Sequence, residues 1–148
     1  MTRSRVAPDD GVRPADAGDR DIVFDLARAF ATSFSVERAA FEESWERLRR
    51  APDATLLVAT RAQRPSGYLL GFHHDTFFAN GPVSWIEELT IQSELRGQGL
   101  GRLLVEAFAQ EAQRRRSRLI ALATRRADAF YAQLGYEESA VYYRRVLS

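Results

Sequence analysis

Three glycines alternate in "SELRGQGLGRLL", residues 93–104, where a polar turn gives way at once to an apolar helical pattern. Glycine serves where φ is positive or where something must approach the backbone, and the first N–H groups of a helix have no partner inside it. Gly97, Gly99 and Gly101 at the start of a helix therefore make an anion site, with free N–H groups and the positive end of the helix dipole turned toward a phosphate or pyrophosphate. Two familiar phosphate loops are excluded. The P-loop needs a lysine after its last glycine, and all 21 basic residues here are arginine. The dinucleotide fingerprint needs glycine where Arg102 stands.

Just upstream, Glu87 and Glu88 are adjacent carboxylates on a strand-like run. Successive strand residues point to opposite faces, so only one of them serves a given side of a sheet, and a bulge would exchange the pair. His73 and His74 point apart for the same reason and cannot chelate one metal; no metal site is expected, and one of the two is a candidate to line a substrate pocket. The chain has no cysteine, which excludes disulfides, thiolate metal sites and a cysteine nucleophile, and fits a reducing cytoplasm.

These residues need a scaffold, and 148 residues with 45 % hydrophobic content suffice for one domain with its own core. Residues 1–10 read as a disordered tail and 11–148 as the domain. Val23, Leu26, Ala27, Phe30 and Phe34 recur at helical steps, and a second helix after Ser35 as N-cap carries Phe41, Trp45 and Leu48 on one stripe. "TLLVAT" (55–60) and "YLLGF" (68–72) read as strands joined by a longer loop, and Asn80-Gly81 turns the chain into a third strand over 84–91. A surface helix over 102–116, a buried strand "LIALA" (119–123), a short helix over 126–135 capped by Gly135 and a last strand "VYYRRVL" follow. The class is α+β, or mixed α/β, around one sheet. A net charge of +1 with interspersed signs leaves no footprint for nucleic acid, the run "QRRRSR" (113–118) being a solvated helix end, and no apolar run is long enough to span a membrane.

Two stretches together resemble a known family. "WIEELTIQSELRGQGLGRLLVEAF" (85–108) is similar to the coenzyme A motif of the Gcn5-related N-acetyltransferases (GNAT family), and "ADAFYAQLGY" (127–136) to that family's tyrosine-bearing helix, with one strand between them. The resemblance implies a single GNAT-like domain: a mostly antiparallel twisted sheet with a splayed strand pair and helices on both faces. It implies acetyl-CoA as cosubstrate and no metal. Pyrophosphate would lie on backbone N–H groups of Arg96, Gly97, Gln98, Gly99, Leu100 and Gly101, extending to Arg102; pantetheine would pair with the main chain of Leu89, Thr90 and Ile91. Tyr131 takes the family's position beside the sulfur, as proton donor to the leaving thiolate, and backbone N–H of Leu89 or Ile91 that of oxyanion donor. Glu87 leads as general base, with Glu88 as its alternate. Where many relatives have a cofactor-contacting asparagine, this chain has Thr124. Tyr142 and Tyr143 fall on a strand that often borders the acceptor pocket. The expected activity is acetyl transfer to a primary amine of a small molecule or peptide, in the cytoplasm, with a homodimer left open. The rivals are a catalytically silent acyl-CoA sensor and an acyltransferase with an oxygen acceptor.

Overall fold

The computed structural model describes residues 6–147. Five strands form one sheet in the order β1 (Gly11–Pro14), β2 (Ala54–Arg61), β3 (Arg64–Thr76), β4 (Gly81–Ile91), β5 (Ile120–Leu122). All pairs are antiparallel except β4 with β5, which is parallel. Helices α1 (Arg20–Phe30) and α2 (Arg38–Arg50) precede β2, α3 (Leu100–Arg114) follows β4, and α4 (Asp128–Gln133) follows β5. The expected mostly antiparallel α+β sheet, with helices on both faces, is what forms.

Alternation along the strands divides the core in two. Val58, Tyr68 and Leu70 pack with Val23, Leu26 and Ala27 of α1 and Trp45 of α2. Leu57, Ala59, Leu69 and Ile86 point the other way and pack with Leu100, Leu104, Val105 and Phe108 of α3. Phe108 lies directly on Gly71, where a Cβ would come within 2.3 Å of its ring. The missing side chain lets α3 sit close to β3.

Several elements depart from the expectation. β1 was not foreseen: "GVRP" is short and carries a proline, but an edge strand tolerates both. The β2–β3 loop is tighter than read, because Ala62 and Gln63 take left-handed φ of 50° and 63° and close a two-residue hairpin. Pro65 and Ser66, which looked like loop, are absorbed by a register shift opposite Ala59 and Thr60. Helix α1 stops at Phe30, leaving Phe34 exposed, and α2 starts at Arg38 with Glu37, not Ser35, in the capping position. "LIALA" is half-buried and only its middle pairs. The last expected strand, "VYYRRVL", is no strand: residues 137–147 have no regular structure and are all exposed. Of the expected disordered tail, residues 1–5 lie outside the described residues, whereas Asp10 accepts from the Ala7 N–H at 2.8 Å and from the Arg61 guanidinium at 2.9 Å. No helix of the described residues is long and apolar enough to cross a membrane.

Candidate active site

β4 is paired on one side along its whole length and on the other for three residues. Its register with β3 runs from Thr76↔Gly81 to Gly67↔Ile91, but with β5 only from Ser84↔Ile120 to Ile86↔Leu122. From Glu87 to Ile91 the strand has an open side among the described residues. Antiparallel pairing turns both backbone groups of alternate residues toward the same neighbour, so the others present theirs to the opening. Leu89, Thr90 and Ile91 lie in this stretch.

At the head of the opening β4 bulges. Leu70 stands opposite Glu88 and Gly71 opposite Ile86, so Glu87 is an inserted residue. Ile86, Leu89 and Ile91 all pack on the α3 side, although an unbroken strand would send Ile86 and Leu89 to opposite faces. Glu87 is left exposed. Glu88 turns to the α1–α2 side, where the Tyr68 hydroxyl donates to its Oε1 at 2.7 Å. Burial lifts the Glu88 carboxyl above its usual range; the Tyr68 hydrogen bond opposes this and the Glu87 charge adds to it. Burial, then the Glu88 charge, pushes the Tyr68 phenol up, so it remains a donor. Tyr68 was missed in the sequence because "YLLGF" reads as core; only the strand register brings it to Glu88.

The glycine loop lies at the far end of the opening. A single 3₁₀ turn (Ser93–Leu95) follows β4, and Gly97 and Gly99 then take φ of 74° and 95°. Gly99 is the N-cap of α3 and has no side chain to satisfy the helix start. The first intrahelical bond runs from the Leu103 N–H to the Gly99 carbonyl at 3.1 Å, which leaves the N–H groups of Leu100, Gly101 and Arg102 without partners in the helix. A Cβ on Gly97 would meet nothing within 4 Å, whereas one on Gly99 would lie 2.6 Å from the Val6 side chain. Gln98 is tied by the Arg61 guanidinium, which also grips Asp10. Arg96 donates to the Ile91 carbonyl at 3.2 Å and Arg102 pairs with Glu106 at 2.9 Å. The loop thus offers an anion three backbone donors and a helix dipole, close to two arginines that keep other partners.

Tyr131, on α4, packs edge-on against Phe130 and Tyr136 at ring separations of 4.9 and 5.7 Å. Its ring belongs to the α3-side core. Its hydroxyl has no hydrogen-bond partner among the described residues, and every buried side-chain polar atom there has one, so the hydroxyl opens to solvent. Burial first, and Tyr136 second, pushes its pKa up to about 12. It is a protonated group at neutral pH with one free donor.

Other singled-out residues lie elsewhere. Thr124 accepts the Ala127 N–H at 3.0 Å and so caps the turn into α4. His73 is buried against Phe108, between the Thr55 hydroxyl at 2.8 Å and the Ser84 hydroxyl at 2.7 Å, and burial lowers its pKa. It is a core residue; His74 is exposed. No group of metal-binding side chains occurs among the described residues. Tyr142 and Tyr143 lie on no strand and stand exposed. A pocket of about 510 Å³ opens at the α1–α2 loop, lined by Arg28 and residues 31–36, with no β4 residue in its wall.

Known proteins share this architecture. A transcriptional regulator from Bacillus halodurans C-125 superposes with a TM-score of 0.83 at 22 % identity, over 93 % of this chain and 99 % of its own. Glucosamine-6-phosphate N-acetyltransferase from Arabidopsis thaliana gives 0.82 at 19 %, over 94 % and 99 %. An aminoglycoside acetyltransferase from an uncultured soil metagenomic sample gives 0.74 at 17 %, over 94 % and 97 %. No curated protein matches. The model of the acetyltransferase (GNAT) family matches residues 21–136, from α1 through the glycine loop to the Tyr131 helix. The chain belongs to the GNAT acetyltransferase family.

Proposed function

We propose that the chain is an acetyl-CoA-dependent N-acetyltransferase whose acceptor is a primary amine. The observation that carries this reading is the open side of β4 from Glu87 to Ile91, followed in the chain by the glycine loop and the uncapped helix start at Gly99. A pantetheine arm is a chain of amides and suits such an edge by main-chain pairing. Its pyrophosphate suits the N–H groups of Leu100, Gly101 and Arg102. Among the structural neighbours, glucosamine-6-phosphate and aminoglycoside acetyltransferases bear names that point to amine acceptors.

In this reading the bulge moves the general-base role from Glu87 to Glu88. Glu88 takes a proton from the acceptor ammonium, directly or through one water, and its raised pKa brings it nearer the working pH of a base. The free amine adds to the thioester carbonyl, and a backbone N–H of Leu89 or Ile91 donates to the oxyanion. Collapse breaks the C–S bond, the Tyr131 hydroxyl gives the thiolate its proton, and the proton that the acetylated nitrogen sheds restores the Tyr131 hydroxyl through solvent. Tyr68 holds the Glu88 carboxylate in place.

Acetyl-CoA at a hundredfold excess over Kd adds about 2.7 kcal/mol to stability if it binds only the folded chain. Thermal melts should therefore move up with acetyl-CoA concentration and much less with a dephosphorylated pantetheine. An unmoved melting temperature at millimolar acetyl-CoA would end the proposal.

A further inference from the structure

The hairpin of β3 and β4 outruns the sheet that carries it. β2 pairs with β3 no further than Phe72, and β5 with β4 no further than Ser84, whereas β3 and β4 stay paired to Thr76↔Gly81. The turn beyond is closed by its own hydrogen bonds: the Thr76 hydroxyl donates to the Gly81 carbonyl at 2.7 Å and accepts the Ala79 N–H at 3.3 Å. On this fixed turn stand Phe77 and Phe78, 103 % and 77 % exposed. Neither belongs to either half of the core. Adjacent large apolar side chains held clear of the protein mark a surface that meets something else.

Arginines gather at the root of this finger. The Arg118 N–H donates to the Pro82 carbonyl at 2.8 Å, and the Arg118 side chain runs beside Gly81. The C-terminal ends of α2 and α3 meet at the same end of the sheet, where Arg115 donates to the Pro52 carbonyl at 2.8 Å. α3 and the turn after it bring Arg114 and Arg116 there, and the last turn of α2 brings Arg47, Arg49 and Arg50. Glu111 is taken up by Arg114 and Arg115, and Glu46 by Arg50. Asp75 on β3 and Asp53 just before β2 are the carboxylates that oppose the remaining charge. Arg116 and Arg118 make no side-chain hydrogen bond or ion pair among the described residues. In a chain of net charge +1, the positive excess is thus collected behind the two phenylalanines.

We propose that this end of the sheet docks on an anionic phospholipid bilayer, with Phe77 and Phe78 inserted below the headgroups and the arginines on the headgroup phosphates. An apolar point with a basic base is complementary to a surface that is negative at its face and apolar within. Single-stranded nucleic acid is recognised instead by a groove that tracks its backbone, and these aromatic side chains stand on a convex turn. From Gly81 to Ile91, β4 runs roughly 33 Å away from the tip, so a docked molecule keeps its glycine loop in solvent. Docking needs no acetyl-CoA, and its failure leaves the transferase reading untouched.

The full chain should sediment at low salt with vesicles of phosphatidylglycerol and phosphatidylcholine in equal parts, and stay in solution with phosphatidylcholine alone. Molar salt should release it, because screening then acts within about 3 Å. Phe77→Ser with Phe78→Ser should weaken the partition at least about tenfold. Arg116→Asn with Arg118→Gln should weaken it roughly thirtyfold, about fivefold for each arginine. Asn suits the left-handed φ of 62° at position 116, and none of the four side chains is buried, so melting temperatures should not change. Because the chain has no cysteine, one environment-sensitive fluorophore can be placed at will. On Ala79→Cys, in the turn, it should brighten and shift to the blue with anionic vesicles; on Glu94→Cys, beyond the other end of β4, it should not. A chain that stays in solution with anionic vesicles, binds neutral ones equally well or keeps its partition in either double variant overturns the proposal. So does a fluorophore that reports insertion from position 94 and not from 79, or a single-stranded oligonucleotide bound in place of vesicles and lost with the same substitutions.

Discussion

Glu87 and Glu88 are one place apart in the chain and on different surfaces of the sheet. The inserted Glu87 faces solvent, while Glu88 is held by Tyr68 with its carboxyl pKa raised by burial. A base must be ionised, so kcat/KM should fall as pH drops through the Glu88 pKa, with that acidic limb above the ordinary carboxylate range. Glu88→Gln should lower kcat/KM by roughly 10² to 10⁴ and abolish the limb. Glu87→Gln removes a charge that disfavours the second carboxylate, so activity should persist and the limb move to lower pH. Tyr68→Phe removes a donor that favours the carboxylate, so the limb should move to higher pH. pH profiles of the three variants check the assignment; loss of activity in Glu87→Gln alone would return the base to that residue. For Tyr131, phenylalanine keeps the packing against Phe130 and Tyr136 and removes only the proton donor. Its kcat should fall on the order of 10² with acetyl-CoA affinity little changed, as titration calorimetry beside steady-state rates will read. The adjacency of two strand carboxylates was legible in the letters. Which of them faces inward was not, because "IEEL" carries no glycine or proline to mark a bulge, and the register with β3 decides it.

At the level of elements, the glycine loop is where sequence and geometry agree most closely. Its glycines promised positive φ and bare backbone, and Gly97 and Gly99 have both, ahead of a helix whose first N–H groups are unsatisfied. A local motif is legible because its cause is local. Gly97 allows a clean test of the phosphate reading, since a side chain there meets nothing within 4 Å and both Asp and Asn tolerate its left-handed φ. Asp adds a negative charge where Asn adds none. Like charges brought together cost several kcal/mol, so Gly97→Asp should bind acetyl-CoA at least about tenfold more weakly than Gly97→Asn. Equal affinities in calorimetry would move the phosphates elsewhere. Elements set by distant partners were harder to read. The β2–β3 turn was obscured by Pro65, whose place is secured by a register shift against β2. The last strand was read from its apolar residues, but a strand needs a neighbour, and residues 137–147 pair with no strand among the described residues.

Over the whole molecule, the parallel strand pair decides where the sheet opens. β5 holds β4 for three residues and then departs, which opens the slot the proposed chemistry needs. α3 and α4 cover the side that carries Tyr131, while α1 and α2 cover the side that carries Glu88, so donor and acceptor would approach from opposite faces. The transferase reading is tested most directly by thiol release from acetyl-CoA across a panel of primary amines, with the product weighed by mass spectrometry. The chain lends itself to this, because without cysteine every thiol detected is coenzyme A, and without lysine no side-chain amine competes as acceptor. The account predicts one thiol released for each amine that gains an acetyl group, and loss of both signals in Glu88→Gln. Acetyl-CoA that raises the melting temperature yet releases no thiol above buffer with any amine, or an acetyl group recovered on oxygen, would contradict it.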